Sequence, residues 1–131
     1  MKTGLLLITT AIIEFSTGIA LMLFPARTTE LLLNSAMDTQ SGIIVCRVAG
    51  AAIIAISVMC WMSRKDKGSI AGTGLLTGML LYNIIVGGVL IYAGFDLQFS
   101  VILLIAIIVH LALTVWCVLG LRYDSGIKYE Y

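Results

Sequence analysis

Residues 4–25, GLLLITTAIIEFSTGIALMLFP, decide the fold: they form an apolar run of membrane length with a carboxylate, Glu14, at its centre. About 21 residues precede Pro25, and at ~1.5 Å of rise per residue they cover the ~30 Å hydrocarbon thickness of a bilayer. An ionisable side chain at that depth costs roughly 2.5–3.5 kcal/mol on insertion scales, so it is tolerated where it meets a partner or lines a cavity. Thr10, Ala11, Thr17 and Gly18 share its helical face, whereas Leu5, Ile8, Ile12 and Ile19 lie elsewhere. Glu14 is therefore expected to face other helices.

The whole chain has this character. Of its 131 residues 60% are hydrophobic and 11% charged, and the mean hydropathy is +1.09, far outside the soluble globular range. A formal net charge of +1 with no basic cluster interleaved with aromatics excludes nucleic acid as a partner. Cys46, Cys60 and Cys117 all fall in apolar spans without CxxC or Cys/His spacing, so they read as small apolar filler, and no metal site is expected. Lys2 followed by an apolar run invites comparison with a signal peptide, but the length of the run, Glu14 and the lack of a cleavage motif make it the first helix.

An all-α fold of four membrane-spanning helices follows, within one membrane domain over residues 1–131. The spans are expected at about residues 4–24, 42–62, 69–94 and 100–121. Residues 26–41 are too polar to span and read as a short amphipathic surface helix around Leu31, Leu32 and Leu33, with an ordinary loop as the alternative. SRKDKG (63–68) and FDLQF (95–99) form turns, and residues 122–131 form a polar tail. Gly68-x3-Gly72 and Gly74-x3-Gly78 match a close-approach pattern that arises readily in glycine-rich apolar segments. Lys2, Arg64, Lys65, Lys67, Arg122 and Lys128 fall on one side and Arg27 on the other. That asymmetry puts both termini in the cytoplasm, and the expected location is a prokaryotic cytoplasmic membrane.

Counting rise places Glu14 and His110 each ~15 Å from its own surface, near the midplane. Asn83 lies at or slightly outward of that level, and Arg47 nearer the outer leaflet, from which its side chain reaches inward toward Glu14 or outward to headgroups. Each span thus supplies one polar group. Asn and His also serve as interhelical hydrogen-bond glue at ~0.6 kcal/mol each, and an Arg–Glu pair can simply neutralise itself. Four such groups at compatible depth nonetheless point to a cavity with Glu14, Arg47, Asn83 and His110 as ligand-binding residues and Tyr82 alongside. Glu14 and His110 are groups that exchange protons, and Arg47 is suited to an anionic headgroup or carboxylate. No Ser or Cys stands in a nucleophile motif beside His110, so no catalytic residue is assigned, and a single His does not supply two axial ligands for haem. No cofactor is identified.

Glu14-x3-Gly18, the Leu23-Phe24-Pro25 exit, the amphipathic connector and Arg47-x2-Gly50 resemble the DoxX-like group of small four-helix membrane proteins, well over the first half of the chain and in outline beyond it. The resemblance implies a membrane accessory protein, linked in different members to quinone-dependent redox complexes or to assisting other membrane proteins. The chain is also similar to the small multidrug resistance exporters, which carry a glutamate midway along their first helix, where Glu14 stands. It departs from them in its long connector, in Arg47 and in His110. The expected function is a binding or accessory protein with an intramembrane polar pocket for a lipid, a quinone-like compound or a similar amphiphile. The alternatives are a proton-coupled exporter using Glu14, and a membrane enzyme using Glu14 and His110 as acid and base. Expected partners are the bilayer, a lipophilic small molecule, and a second copy or another membrane protein. Asn83-x3-Gly87 echoes Glu14-x3-Gly18 at similar depth, as a two-plus-two origin would leave it.

Overall fold

The computed structural model describes residues 3–66 and 68–127, and these are all helix and short connections. In order they form α1 (Thr3–Leu23), α2 (Pro25–Leu33), α3 (Gln40–Met62), a 3-10 turn (Ser63–Lys65), α4 (Ile70–Leu97) and α5 (Val101–Ile127). Four helices are long and apolar enough to cross a membrane, and the short α2 lies between the first two of them. Ile12, Phe15, Val45, Val48, Ile85, Val89 and Ile108 are among many large apolar side chains that stay exposed. Such a surface is matched by hydrocarbon, where each helix satisfies its own backbone.

The helix ends follow from local chemistry. Pro25 occupies the first turn of α2, where its missing N–H costs nothing, and the Thr28 hydroxyl donates back to the Ala20 carbonyl of α1 at 3.0 Å. Asn34 ends α2 in the left-handed region (φ 51°), a conformation asparagine tolerates better than most residues. Thr39, Ser69 and Ser100 each accept a backbone N–H three residues on, capping α3, α4 and α5. The turn between α4 and α5 is shorter than FDLQF suggested, because α4 continues to Leu97 and Gln98 turns the chain with φ 74°. α5 runs on to Ile127, so the first part of the expected tail is helical; nothing in RYDSGI forbids a helix. Of the basic residues used for orientation, Lys2, Lys67 and Lys128 lie outside the described residues.

α1 packs chiefly on α3, and α4 chiefly on α5. Within the first pair the helices run antiparallel. Arg64 lies opposite Gly4 and Gly50 opposite Gly18, where a Cβ added to Gly18 would stand 2.9 Å from the Gly50 carbonyl oxygen and one added to Gly50 would stand 2.8 Å from that of Gly18. The two backbones touch there. Gly74 and Gly78 have nothing within 4 Å of an added Cβ, and Gly72 meets only Asp66 and Ser69 of its own cap, so neither glycine motif of α4 marks a helix contact here.

Two apolar layers result. Near the Arg64 end, Leu6, Leu7 and Ala11 meet Cys60, Leu76, Met79, Leu113 and Cys117, with Trp116 packed against them. Trp116 is partly buried there, with its indole nitrogen enclosed. Near the α2 end, Leu90, Leu103 and Ile107 are covered by Leu32 and Leu33. The short helix therefore turns two of its three leucines onto the bundle and leaves Leu31 exposed, while the Ser100 hydroxyl donates to the Leu32 carbonyl at 3.0 Å.

Gly18→Val and Gly50→Val are each expected to lose about 1–3 kcal/mol through overpacking at the crossing, whereas Gly78→Ala leaves stability unchanged or raises it through helix propensity. Thermal melting in detergent measures the three side by side.

Candidate functional site

Between the two apolar layers lies a polar one. Glu14 on α1 is 2% exposed, and Asn83 on α4 is 1% exposed. Tyr82 is half-buried beside Asn83, and His110 half-buried on α5. The Tyr82 hydroxyl donates to Glu14 Oε2 at 3.1 Å, joining the α4–α5 pair to the α1–α3 pair. The Tyr82 ring meets the His110 ring edge-on, with centroids 5.9 Å apart. His110 Nδ1 lies 2.8 Å from Asn83 Oδ1.

The direction of that last bond is fixed from behind. Asn83 Nδ2 donates to the Met79 carbonyl at 2.7 Å, which leaves Oδ1 as the amide atom facing the ring. An amide oxygen only accepts, so Nδ1 carries the proton, and in a neutral imidazole Nε2 is then a bare acceptor. The Met79 carbonyl was invisible to side-chain reasoning, although the four-residue spacing from Met79 to Asn83 was its signal. A one-turn spacing also lets the Thr114 hydroxyl donate to the His110 carbonyl at 2.8 Å.

Glu14 is less completely served. Its Oε1 is buried and has no hydrogen-bond partner among the described residues. Buried polar atoms are paired in the great majority of cases; the Thr73 hydroxyl and the Trp116 indole nitrogen share this state, and Glu14 is the one carboxyl group of the three. Thr10 and Gly18, on the same face, are buried with it, but Thr17 is exposed.

Four of the five expected site residues therefore assemble: Glu14, Tyr82, Asn83 and His110. Arg47 does not join them. It is exposed on α3, and among the described residues the ion pair is Arg27 with Glu30, at 3.3 Å on the surface of α2. The pairing of Gly18 with Gly50 and Ile54 accounts for the separation along the axis: Arg47 precedes Ile54 by seven residues, about 10 Å, on the side away from Glu14. No group of three or more His, Cys, Asp or Glu able to hold a metal occurs among the described residues.

The arrangement defines a class, a four-span helical membrane protein with a buried, hydrogen-bonded polar layer halfway along the bundle. No family model, curated protein or solved structure gives a match to this chain.

Tyr82→Phe deprives Glu14 of its only hydrogen bond among the described residues and is expected to destabilise the bundle by about 1–3 kcal/mol, while Glu14→Met combined with Tyr82→Phe recovers part of the loss. A double-mutant cycle read by detergent or denaturant unfolding checks the coupling.

Proposed function

We propose that this protein is a non-enzymatic membrane binding or accessory protein whose polar layer receives the head of a lipophilic molecule. The observation that carries the reading is the unpartnered, buried Oε1 of Glu14 beside an otherwise hydrogen-bonded cluster. The chemistry narrows the ligand. Oε1 of an ionised Glu14 and, in a neutral ring, His110 Nε2 are both acceptors, so the head that matches this state carries donors: a hydroxyl, as in a quinol or an alcohol, or an amine. With Arg47 turned away, an anionic headgroup at this layer loses the cation that would have held it. The resemblance to the DoxX-like group points to an accessory role of this kind, and Gly18 and Gly50, which close two of the motifs that carry it, Glu14-x3-Gly18 and Arg47-x2-Gly50, are the residues where α1 touches α3. We further propose a cytoplasmic location for both termini, from the distribution of basic residues.

Mass spectrometry of small molecules that co-purify with the protein in native lipid particles tests this. A donor-bearing lipophile is expected from the wild type and from Arg47→Ala, and is expected to fall at least about tenfold in Glu14→Ala, equivalent to ~1.4 kcal/mol of lost binding. Equal recovery from Glu14→Ala overturns the reading.

A second reading, the proton-coupled exporter, gains from one finding. The Arg47 guanidinium would have competed with a cationic substrate at Glu14, and it lies away from that carboxylate. In proteoliposomes this reading expects a pH gradient to drive a hydrophobic cation across the membrane and Glu14→Gln to abolish the movement. A wild type that moves no such cation removes it.

A further inference from the structure

A groove of about 380 Å³ runs along the outside of the α1–α3 pair, lined by Ala11, Ile12, Phe15, Ser16, Ser57, Val58 and Trp61. Its volume lies within the range of small-molecule sites, about 300–1,000 Å³. Ile12, Phe15, Val58 and Trp61 are exposed on the bundle surface, so an occupant enters from the surrounding hydrocarbon. The two hydroxyls in the lining are already committed to their own helices: Ser16 donates to the Ile12 carbonyl at 2.8 Å and Ser57 to the Ile54 carbonyl at 2.7 Å. The part of the occupant that lies in the groove is therefore hydrocarbon.

Charge appears at one end. One turn beyond Trp61, the Arg64 guanidinium sits over the indole ring, 4.2 Å from its centroid, and its Nη1 donates to the Trp61 carbonyl at 2.5 Å. A cation stacked in this way is held against a residue that lines the groove, and a guanidinium has five N–H donors, of which the Trp61 carbonyl takes one. Lys65 follows it and is exposed. The acid nearest in sequence, Asp66, accepts the Ser69 hydroxyl at 2.6 Å as part of the α4 cap, and α1 has no acidic residue in its first turn. The backbone of this turn is pressed against α1, where Gly4 leaves room for the Arg64 carbonyl. The groove thus pairs a hydrocarbon slot with a positioned guanidinium at the level where α3 ends, the arrangement that matches one acyl chain and the headgroup of an anionic phospholipid.

We infer that the α1–α3 groove is a binding site for an anionic phospholipid, its acyl chain against Phe15, Val58 and Trp61 and its phosphate at Arg64. This site is separate from the Glu14 layer and does not depend on the function proposed for it. Trp61 is a built-in reporter, since the chain has 2 tryptophans and Trp116→Phe leaves Trp61 as the only one.

The test reconstitutes Trp116→Phe into vesicles containing phosphatidylglycerol or phosphatidylcholine with identical brominated acyl chains and follows quenching of Trp61. Phosphatidylglycerol is expected to associate about fivefold more strongly, equivalent to ~1 kcal/mol for one Arg near an anionic surface. Arg64→Gln should bring the ratio close to one, and Val58→Phe, which fills the groove, should also reduce it. Equal quenching by the two lipids, or a preference that survives Arg64→Gln, overturns the inference. Should Trp116→Phe fail to fold, native mass spectrometry of the unsubstituted chain from an equimolar mixture of the two lipids reads the same preference: selective retention of phosphatidylglycerol supports the site, and equal retention overturns it.

Discussion

A tyrosine hydroxyl reaching from α4 to a carboxylate on α1 holds the middle of this bundle together. The main-chain packing is pairwise, α1 with α3 and α4 with α5, and side chains must make the joint between the pairs. Leucines and a methionine do so by area in the layer toward Arg64. At mid-depth the joint is the Tyr82–Glu14 hydrogen bond, and it is also what makes a carboxylate tolerable so far from water. Without a partner of this kind, Glu14 would be pure cost to insertion.

The layering around that bond has a physical logic. Two apolar layers close off a polar one, and each member of the polar layer positions the next: the Met79 carbonyl orients Asn83, Asn83 sets the tautomer of His110, and the His110 ring makes a T-shaped contact with Tyr82. In surroundings of low dielectric such a chain is stiff, because any rotation leaves a buried polar atom unsatisfied. Glu14 Oε1 lies outside this chain of bonds, as does Nε2 of a neutral His110.

Much of this could be read from the residues. Hydropathy located the spans to within a few residues, because length and apolarity are what a bilayer demands. Depth counting brought Glu14, Asn83 and His110 to one level, since rise per residue is fixed in any helix. The level of Arg47, outward of Glu14, followed from the same counting; which way its side chain turns was not legible, because that depends on how α3 is set against α1 at two glycines whose partnership no single-helix pattern reveals. Gly74 and Gly78 fit the same small-residue pattern and touch nothing, so the pattern alone did not say which glycines meet. The groove at Trp61 was hidden for the same reason: it exists only between two helices.

The polar layer draws its atoms from α1, α4 and α5. α3 contributes none of them; it packs along α1 by backbone contact at Gly18 and Gly50 and by apolar side chains such as Cys60, and its Ser57 hydroxyl is satisfied within its own turn. Sliding or tilting α3 therefore disturbs dispersion contacts but breaks none of the three bonds that organise the interior. The interior is thus bonded independently of the helix that packs most broadly on α1, so a change at the Gly18–Gly50 crossing loosens the wall and leaves the hydrogen bonds behind it intact.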